Sequence, residues 1–143
     1  MKISDVVHNK PSQDVVTIRP DASVRDLVGL LAEHNVGALV VSEDGESVLG
    51  IVSERDVVRR LHADESVLDS QVGQIMTSEV RTCTAGDGLT DLMQTMTEHR
   101  IRHVPVVDDG RLTGIISIGD VVKNRIGELE FERDQLDSYV HQT

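Results

Sequence analysis

The segment Gly50-Ile51-Val52-Ser53-Glu54-Arg55-Asp56 occurs twice in this chain, and its second copy reads Gly114-Ile115-Ile116-Ser117-Ile118-Gly119-Asp120. Working outward from this pair, a shift of about 65 residues overlays the two halves of the chain, with about 15 identities over about 45 positions. Residues 14–17, for example, fall on residues 79–82. The chain is therefore an internal duplication.

Each copy has the same predicted order of elements, which is strand, helix, strand, strand and helix. The predicted strands are residues 15–18, 38–42 and 48–52 in the first copy and residues 80–83, 104–107 and 112–116 in the second. Asp44-Gly45 and Asp109-Gly110 predict hairpin turns. A unit of about 50 residues buries too little surface alone, so the copies are expected to pack together with pseudo-twofold symmetry. The predicted fold class is α+β, with an additional C-terminal helix.

The repeat divides the chain into four predicted parts. Residues 1–62 form the first repeat, the polar residues 63–71 form a linker, and residues 72–126 form the second repeat. Residues 127–143 are predicted to form an acidic amphipathic helix, with five acidic side chains and one basic side chain. This helix either folds back on its own module or offers a surface to a partner or a second subunit.

Composition excludes several classes of function. The 143 residues carry 25 acidic and 14 basic side chains, a net charge of −11, so no general binding of nucleic acid is expected. Two aromatic residues provide no stacking platform for bases, and a lone cysteine excludes an internal disulfide or a multi-cysteine zinc site. No apolar run is long enough to cross a membrane, and the start shows no signal-peptide pattern. A cytoplasmic protein without membrane attachment is therefore expected.

The repeated motif has two interpretations from its residues alone. Ser-x-x-Asp after a strand is a capping box, which satisfies the free N–H groups at the start of a helix. The same helix start attracts phosphate through its N–H groups and partial positive charge. The aspartate one turn further on can accept hydrogen bonds from the two vicinal hydroxyls of a ribose. The motif by itself does not decide between these roles.

Two further segments give the chain a family resemblance. Asn35-Val36-Gly37-Ala38-Leu39-Val40-Val41 precedes the first motif, and Arg100-Ile101-Arg102-His103-Val104-Pro105-Val106-Val107 precedes the second. Together with the motifs they resemble a tandem pair of cystathionine-beta-synthase (CBS) domains, a Bateman module, over about residues 1–126. The resemblance implies a ligand such as AMP, ADP, ATP, NAD or S-adenosylmethionine, with adenine nucleotides favoured and no cofactor required. Members of this family commonly pair two modules into a homodimer.

The resemblance also implies a set of binding residues. Asp56 and Asp120 fall at the position that binds ribose hydroxyls, and Ser53 and Ser117 fall at the helix start that contacts ribose or phosphate. The remaining residues of the cleft between the repeats are Thr17, Gly37, Ala38, Thr82, Arg102 and His103. Arg55 would neutralise phosphate at the first site. The second site has no matching arginine and is expected to borrow Arg102 or His103, so the two sites should be unequal.

Other candidate side chains have simpler interpretations. His99 and His103 have the spacing of a metal pair on a continuous helix, but the strand predicted from residue 104 places His103 beyond the helix end. No metal site is therefore predicted. Cys83 stands where the first copy has Ile18, which indicates a small core side chain. The cationic side chains Arg59, Arg60 and Arg100 are either solvated surface charges or part of an anion site.

The predicted function is that of a regulatory protein, not an enzyme. The sequence shows no nucleophile–base pair, no paired catalytic acids and no P-loop. The main hypothesis is an adenine-nucleotide sensor of energy or redox state that passes its ligand state to an effector protein. The alternative is a constitutive interaction scaffold whose clefts no longer bind nucleotide.

Overall fold

The chain consists of helices and short strands, as the duplicated pattern predicts. The structure is a computed structural model that describes residues 1–141. In chain order its elements are α1 (Ile3–His8), β1 (Thr17–Ile18), α2 (Val24–His34), β2 (Ala38–Val41), β3 (Gly50–Ser53), α3 (Glu54–Ala63), a 3-10 helix (Glu65–Asp69), α4 (Val72–Ile75), α5 (Leu89–His99), β4 (His103–Asp108), β5 (Arg111–Ser117) and α6 (Ile118–His141). The predicted α+β class is confirmed.

The first repeat contains a sheet of three strands in the order β1-β2-β3. β1 runs parallel to β2, and β2 runs antiparallel to β3 with Ala38 opposite Ser53. All four residues of β2 are buried, because it is the central strand and is covered on both faces. The helix that precedes this strand, α2, begins at Ser23, whose Oγ accepts a hydrogen bond from the Asp26 N–H at 3.0 Å.

The second repeat contains a hairpin of β4 and β5 but no strand over residues 80–82. The hairpin turns at Asp109 and Gly110, both with positive φ, as the sequence predicts. The predicted strand over residues 80–83 is wrong for all but Cys83, which forms one parallel bridge with Val106. Pro105 explains the difference, because it stands where the first repeat has Val40 and has no N–H to extend the ladder.

Each repeat has its own apolar core, which includes a helix from elsewhere in the sequence. Helix α1, at the start of the chain, packs in the core of the second repeat, and α4, between the repeats, packs in the core of the first. Ile3 and Val6 of α1 are fully buried in the core of the second repeat. Val72 and Ile75 of α4 are buried in the core of the first repeat. The sequence patterns gave no helix at residues 3–8, so α1 is an element that they missed.

The glycines of the repeated motif lie against α1 and against the residues that follow α4. A Cβ on Gly50 would lie 2.7 Å from Met76 Sδ and 2.8 Å from the Thr77 carbonyl oxygen. Thr77 pairs with Ile51 on this side of β3. A Cβ on Gly114 would lie 3.3 Å from Cγ2 of Val7. The backbone oxygen of Thr77 therefore excludes a side chain at Gly50, whereas at Gly114 a side chain would require Val7 to shift by a few tenths of an ångström.

Two segments differ from their predicted character. The polar residues 63–71 contain a 3-10 helix, and its Val67 is buried in the first core. The final helix of the second repeat and the predicted tail helix form one continuous α6 of 24 residues. Within α6 the only buried side chains among the described residues are Val121 and Asn124, and residues 129–141 are exposed.

Candidate functional site

The two copies of the motif have the same local geometry. The Ser53 N–H donates to Asp56 Oδ2 at 2.9 Å, and the Asp56 N–H donates back to Ser53 Oγ at 3.3 Å. In the second copy the Ser117 N–H donates to Asp120 Oδ2 at 2.9 Å, and the Asp120 N–H donates to Ser117 Oγ at 3.1 Å. Both motifs are therefore capping boxes at the starts of α3 and α6.

The capping boxes leave one carboxylate oxygen of each aspartate available. Oδ2 accepts the capping hydrogen bond in both copies, whereas Oδ1 of Asp56 and of Asp120 accepts none from the described residues. Capping therefore occupies Oδ2 of each aspartate and leaves Oδ1 for the ribose contact that the resemblance implies. The two interpretations of the motif are compatible.

The start of each helix is tied to the strand beside it by an equivalent hydrogen bond. The Glu54 N–H donates to the Gly37 carbonyl oxygen at 2.9 Å, and the Ile118 N–H donates to the Arg102 carbonyl oxygen at 2.8 Å. Gly37 and Arg102 directly precede the segments β2 and β4. These bonds place the residues just before β2 and β4 beside the two motifs.

A cavity of about 420 Å³ opens at the first motif and is lined by both repeats. Of the predicted binding residues, the ones that line it are Gly37, Ala38, Ser53, Arg55, Asp56, Arg102 and His103. The structure does not bring Thr17, Thr82, Ser117 or Asp120 to this cavity. Thr17 pairs with Val40 inside the sheet, and Thr82 is exposed.

The cavity gathers cationic side chains in an acidic protein. Its five arginines are Arg55, Arg59, Arg81, Arg100 and Arg102, and its three acidic residues are Glu54, Asp56 and Glu79. Within residues 1–141 none of these arginines forms an ion pair. A neighbouring cavity of about 400 Å³ shares Arg55, Arg100 and Arg102 with the first. The combined surface has the character of an anion site.

Sequence analysis missed several of the residues at this cavity. Arg81 and Glu79 precede the second repeat's Cys83, and Ile51, Val80 and Ile101 add apolar surface. Glu79 and Arg81 correspond to Asp14 and Val16 of the first repeat, so the repeat itself offered no cationic signal there. Their place in the cavity follows from packing between the halves and not from a local motif.

Arg100 reaches the cavity from a left-handed backbone conformation. It ends α5 with φ 53°, and Asn35 ends α2 in the same way with φ 52°. Asparagine adopts this region readily, whereas for arginine the conformation costs on the order of 1 kcal/mol. Such a helix end turns the chain sharply into β4, and it brings Arg100, Ile101 and Arg102 to the cavity wall.

His103 lies over Gly37 at the inner end of the cavity. A Cβ on Gly37 would be 3.3 Å from Cε1 of His103 and 3.5 Å from Oε1 of Glu54, so a larger residue there would require the imidazole to shift by a few tenths of an ångström. Burial lowers the pKa of His103 below its ordinary value, although the carboxylates of Glu54 and Asp120 act in the opposite direction. The imidazole therefore stays neutral near pH 7 and lies between the two motifs.

Asp120 at the second motif has a cation that the sequence did not predict. Lys10 Nζ lies 3.1 Å from Asp120 Oδ2 and donates to the carbonyl oxygen of Ile115 at 2.7 Å. Burial would raise the pKa of the Asp120 carboxyl, but hydrogen bonds from Ser117 and Lys10 and the lysine charge hold it below its usual range. Lys10 is thus an additional cation at the second motif, and the expectation that Arg102 or His103 neutralises a phosphate there stays a prediction, although both residues line the first cavity.

Of the other sequence candidates, His99 lines the cavity, whereas Cys83 lies in a core. His99 ends α5 and His103 begins β4, as predicted, and no group of three or more His, Cys, Asp or Glu side chains within residues 1–141 could hold a metal ion. Cys83 is buried in the second core, which confirms its predicted role. Burial, with Asp87 and Asp108 nearby, raises the pKa of its thiol to about 12. No helix among the described residues is long and apolar enough to cross a membrane.

Comparison with known proteins places this geometry in a family. The CBS domain family model matches residues 3–63 and 72–127, so the chain belongs to the CBS-domain family as a protein with two such domains. It is 38% identical over 146 residues to the CBS domain-containing protein CBSX3, mitochondrial, of Arabidopsis thaliana, covering 96% of this chain and 71% of the relative. The resemblance seen in the sequence is confirmed.

Solved structures share the fold. The CBS-domain containing protein ATU1752 from Agrobacterium tumefaciens is 43% identical, with a TM-score of 0.83 over 87% of this chain and 99% of that one. CBSX2, whose structure is in complex with AMP, is 28% identical, with a TM-score of 0.73 over 88% of this chain and 97% of that one. Adenosine-containing ligands are therefore bound within this family.

Proposed function

We propose that this protein is a regulatory module that binds an adenine nucleotide in the cavity at the first motif. The observation that carries the proposal is the convergence of five arginines, none with an ion pair within the described residues, on a cavity that Asp56 also lines. In a protein of net charge −11, unpaired cations facing one cavity favour an anionic ligand that supplies the missing charge.

The chemistry of the walls fits each part of a nucleotide. Asp56 Oδ1 can accept hydrogen bonds from the two hydroxyls of a ribose. The N–H groups at the start of α3 and the neighbouring Arg55 attract phosphate. Ile51, Val80 and Ile101 provide aliphatic surface for a base. The AMP complex of CBSX2, a protein of the same fold, supports this class of ligand.

We propose that ligand binding regulates a partner protein. Both repeats line the cavity, so a ligand there contacts both halves of the molecule. A ligand that binds one relative arrangement of the halves more tightly shifts the protein toward it, whereas equal affinity would shift nothing. AMP, ATP and NAD as ligands correspond to an energy or redox sensor. A homodimer and a cytoplasmic location remain our predictions, although one relative is named as mitochondrial.

The alternative function is a constitutive scaffold that acts through α6. The exposed apolar side chains Leu129, Phe131, Leu136 and Tyr139 on the last turns of this helix favour it. The scaffold binds its partner equally with and without nucleotide, whereas the sensor does not. Partner binding measured with and without the preferred nucleotide separates the two functions.

The direct test is calorimetric titration of the full chain with AMP, ATP, NAD and S-adenosylmethionine. At least one adenine nucleotide should bind with a Kd below about 1 mM. Arg55→Ala together with Arg102→Ala should weaken binding at least about tenfold, because both guanidinium groups face the cavity. Arg19→Ala is the matched control, because Arg19 is exposed and pairs with Asp21 away from the cavity. Absence of binding for all four ligands would overturn the proposal.

A further inference from the structure

The second motif is held by the N-terminal segment of the chain. Lys10 Nζ contacts Asp120 Oδ2 at 3.1 Å and the Ile115 carbonyl oxygen at 2.7 Å. The side chains of Lys10 and Asp120 are only 23% and 22% exposed, respectively. This pair is therefore unlike the exposed ion pairs elsewhere on the protein, such as Arg25 with Asp69 at 65% and 77%.

A second contact fastens the same segment to α6. Asn9 Nδ2 donates to Asn124 Oδ1 at 2.8 Å, and Asn124 Nδ2 donates to the Asp120 carbonyl oxygen at 2.8 Å. Asn124 is 8% exposed, so both of its polar groups are satisfied inside the protein. The helix that precedes the segment, α1, is anchored by Ile3 and Val6, which are fully buried. Lys10 is thus a positioned side chain and not a mobile surface lysine.

The first motif has no such occupant. Within the described residues no ammonium or guanidinium group pairs with Asp56, and the cavity of about 420 Å³ opens there. The two motifs share the reciprocal backbone capping hydrogen bonds between serine and aspartate. Lys10 therefore adds a second difference to the one in the motifs themselves, where Arg55 of the first copy corresponds to Gly119 of the second.

We infer that each chain takes one adenine nucleotide, at the first motif, and that Lys10 closes the second motif to ligand. Lys10 already neutralises the Asp120 carboxylate, so a ribose bound through the remaining Oδ1 would lie beside the ammonium. It would also meet a weaker acceptor than Asp56, which has no ion pair within the described residues. The inference rests on the proposed function, since it states where that ligand binds and how many bind.

The test compares equivalent aspartates by calorimetric titration of the full chain with AMP and with ATP. Asparagine keeps the oxygen that accepts the Ser N–H, but it places an amide N–H₂ where the available carboxylate oxygen was. Asp56→Asn should weaken binding at least about tenfold, whereas Asp120→Asn should change the Kd less than about twofold. The wild type should bind about one nucleotide per chain, and Lys10→Met, which keeps the apolar stem, should raise this to about two.

The outcomes separate the inference from the function on which it depends. Two nucleotides per wild-type chain, or an equal loss of affinity in both aspartate variants, overturns the inference and leaves the proposed function intact. If the Lys10→Met variant still binds one nucleotide per chain, or binds more weakly than the wild type, the lysine does not close the second motif. Either result also overturns the inference. Absence of binding by the wild type overturns the proposed function and the inference together.

Discussion

At the scale of the residue, protonation of His103, which lines the cavity, makes the free energy of unfolding depend on pH. Burial is the largest influence on this group, and it lowers the histidine pKa below the ordinary value of 6.5. The unfolded chain therefore binds a proton more readily than the folded protein as the pH falls below about 6.5. Acidification should then lower the free energy of unfolding, and the loss should level off below the folded-state pKa.

The prediction is that His103→Gln makes stability less dependent on pH. Urea unfolding at about pH 7.5, 6.5 and 5.5 measures the effect, because the variant has no imidazole to protonate in the unfolded chain. His34→Gln is the control, since His34 is exposed at the end of α2. A wild-type protein that gains stability on acidification, or an unchanged slope in His103→Gln, contradicts the prediction.

The residues of the candidate site were only partly predictable. Ser53 and Asp56 were visible because the motif is local and repeated, and the structure gives both copies the predicted capping geometry. Lys10 was not visible, because it meets Asp120 across a separation of 110 positions that no spacing rule encodes. A repeat predicts what both halves share and where they differ in sequence, as at Arg55 and Gly119, but it does not predict a contact from Lys10, which lies outside the duplicated segments.

At the scale of the element, α1 completes the core of the second repeat although it precedes the first in sequence. Ile3→Ala should lower the free energy of unfolding by about 2–5 kcal/mol, because Ile3 is fully buried and its truncation leaves a cavity. Val28→Ala is the control, since Val28 on α2 is 40% exposed and should cost much less. Denaturant unfolding measures both. Equal stability of wild type and Ile3→Ala would contradict the packing of α1 against this core.

The distal part of α6 should add little to the stability of the module. Residues 129–141 are exposed, and removal of residues 129–143 should change the free energy of unfolding by less than about 1 kcal/mol. Leu92→Ala, in the second core, shows that the assay detects a core change. Nucleotide binding should persist in the truncated chain, because the cavity lies at α3 and β4. If the truncated chain no longer unfolds cooperatively, the distal part of α6 does contribute to stability and the prediction is wrong.

Some of the helices and strands could be predicted from the sequence, and others could not. The hairpins and α2 followed from turn residues and apolar spacing, which act over a few neighbours. The strand predicted at residues 80–83 is limited to one bridge, because its partner strand contains Pro105, which has no N–H to donate. The sequence does not show this effect until the partner strand has been identified. Helix α1 has only six residues and acquires its buried face from the distant second repeat.

At the scale of the whole molecule, charge is distributed unevenly. The net charge is −11, yet the cavity has two more arginines than acidic residues. An anionic nucleotide therefore meets repulsion at long range and attraction close to the cavity. Added salt screens the long-range repulsion before it screens the short-range attraction, because the screening length falls from about 30 Å at about 0.01 M to about 8 Å at about 0.15 M.

This uneven distribution predicts that the association rate of ATP depends on salt in a non-monotonic way. The rate should rise between about 10 mM and 150 mM salt, as the field of the whole protein is screened, and fall toward about 1 M, as the arginines are screened too. Stopped-flow binding at a series of sodium chloride concentrations measures it. The chain without residues 129–143 lacks four acidic residues and one basic residue, so its initial rise should be smaller. Adenosine, which has no phosphate, should bind at a nearly constant rate, whereas a steady decline of the ATP rate from the lowest salt would show that the local cations dominate at every distance.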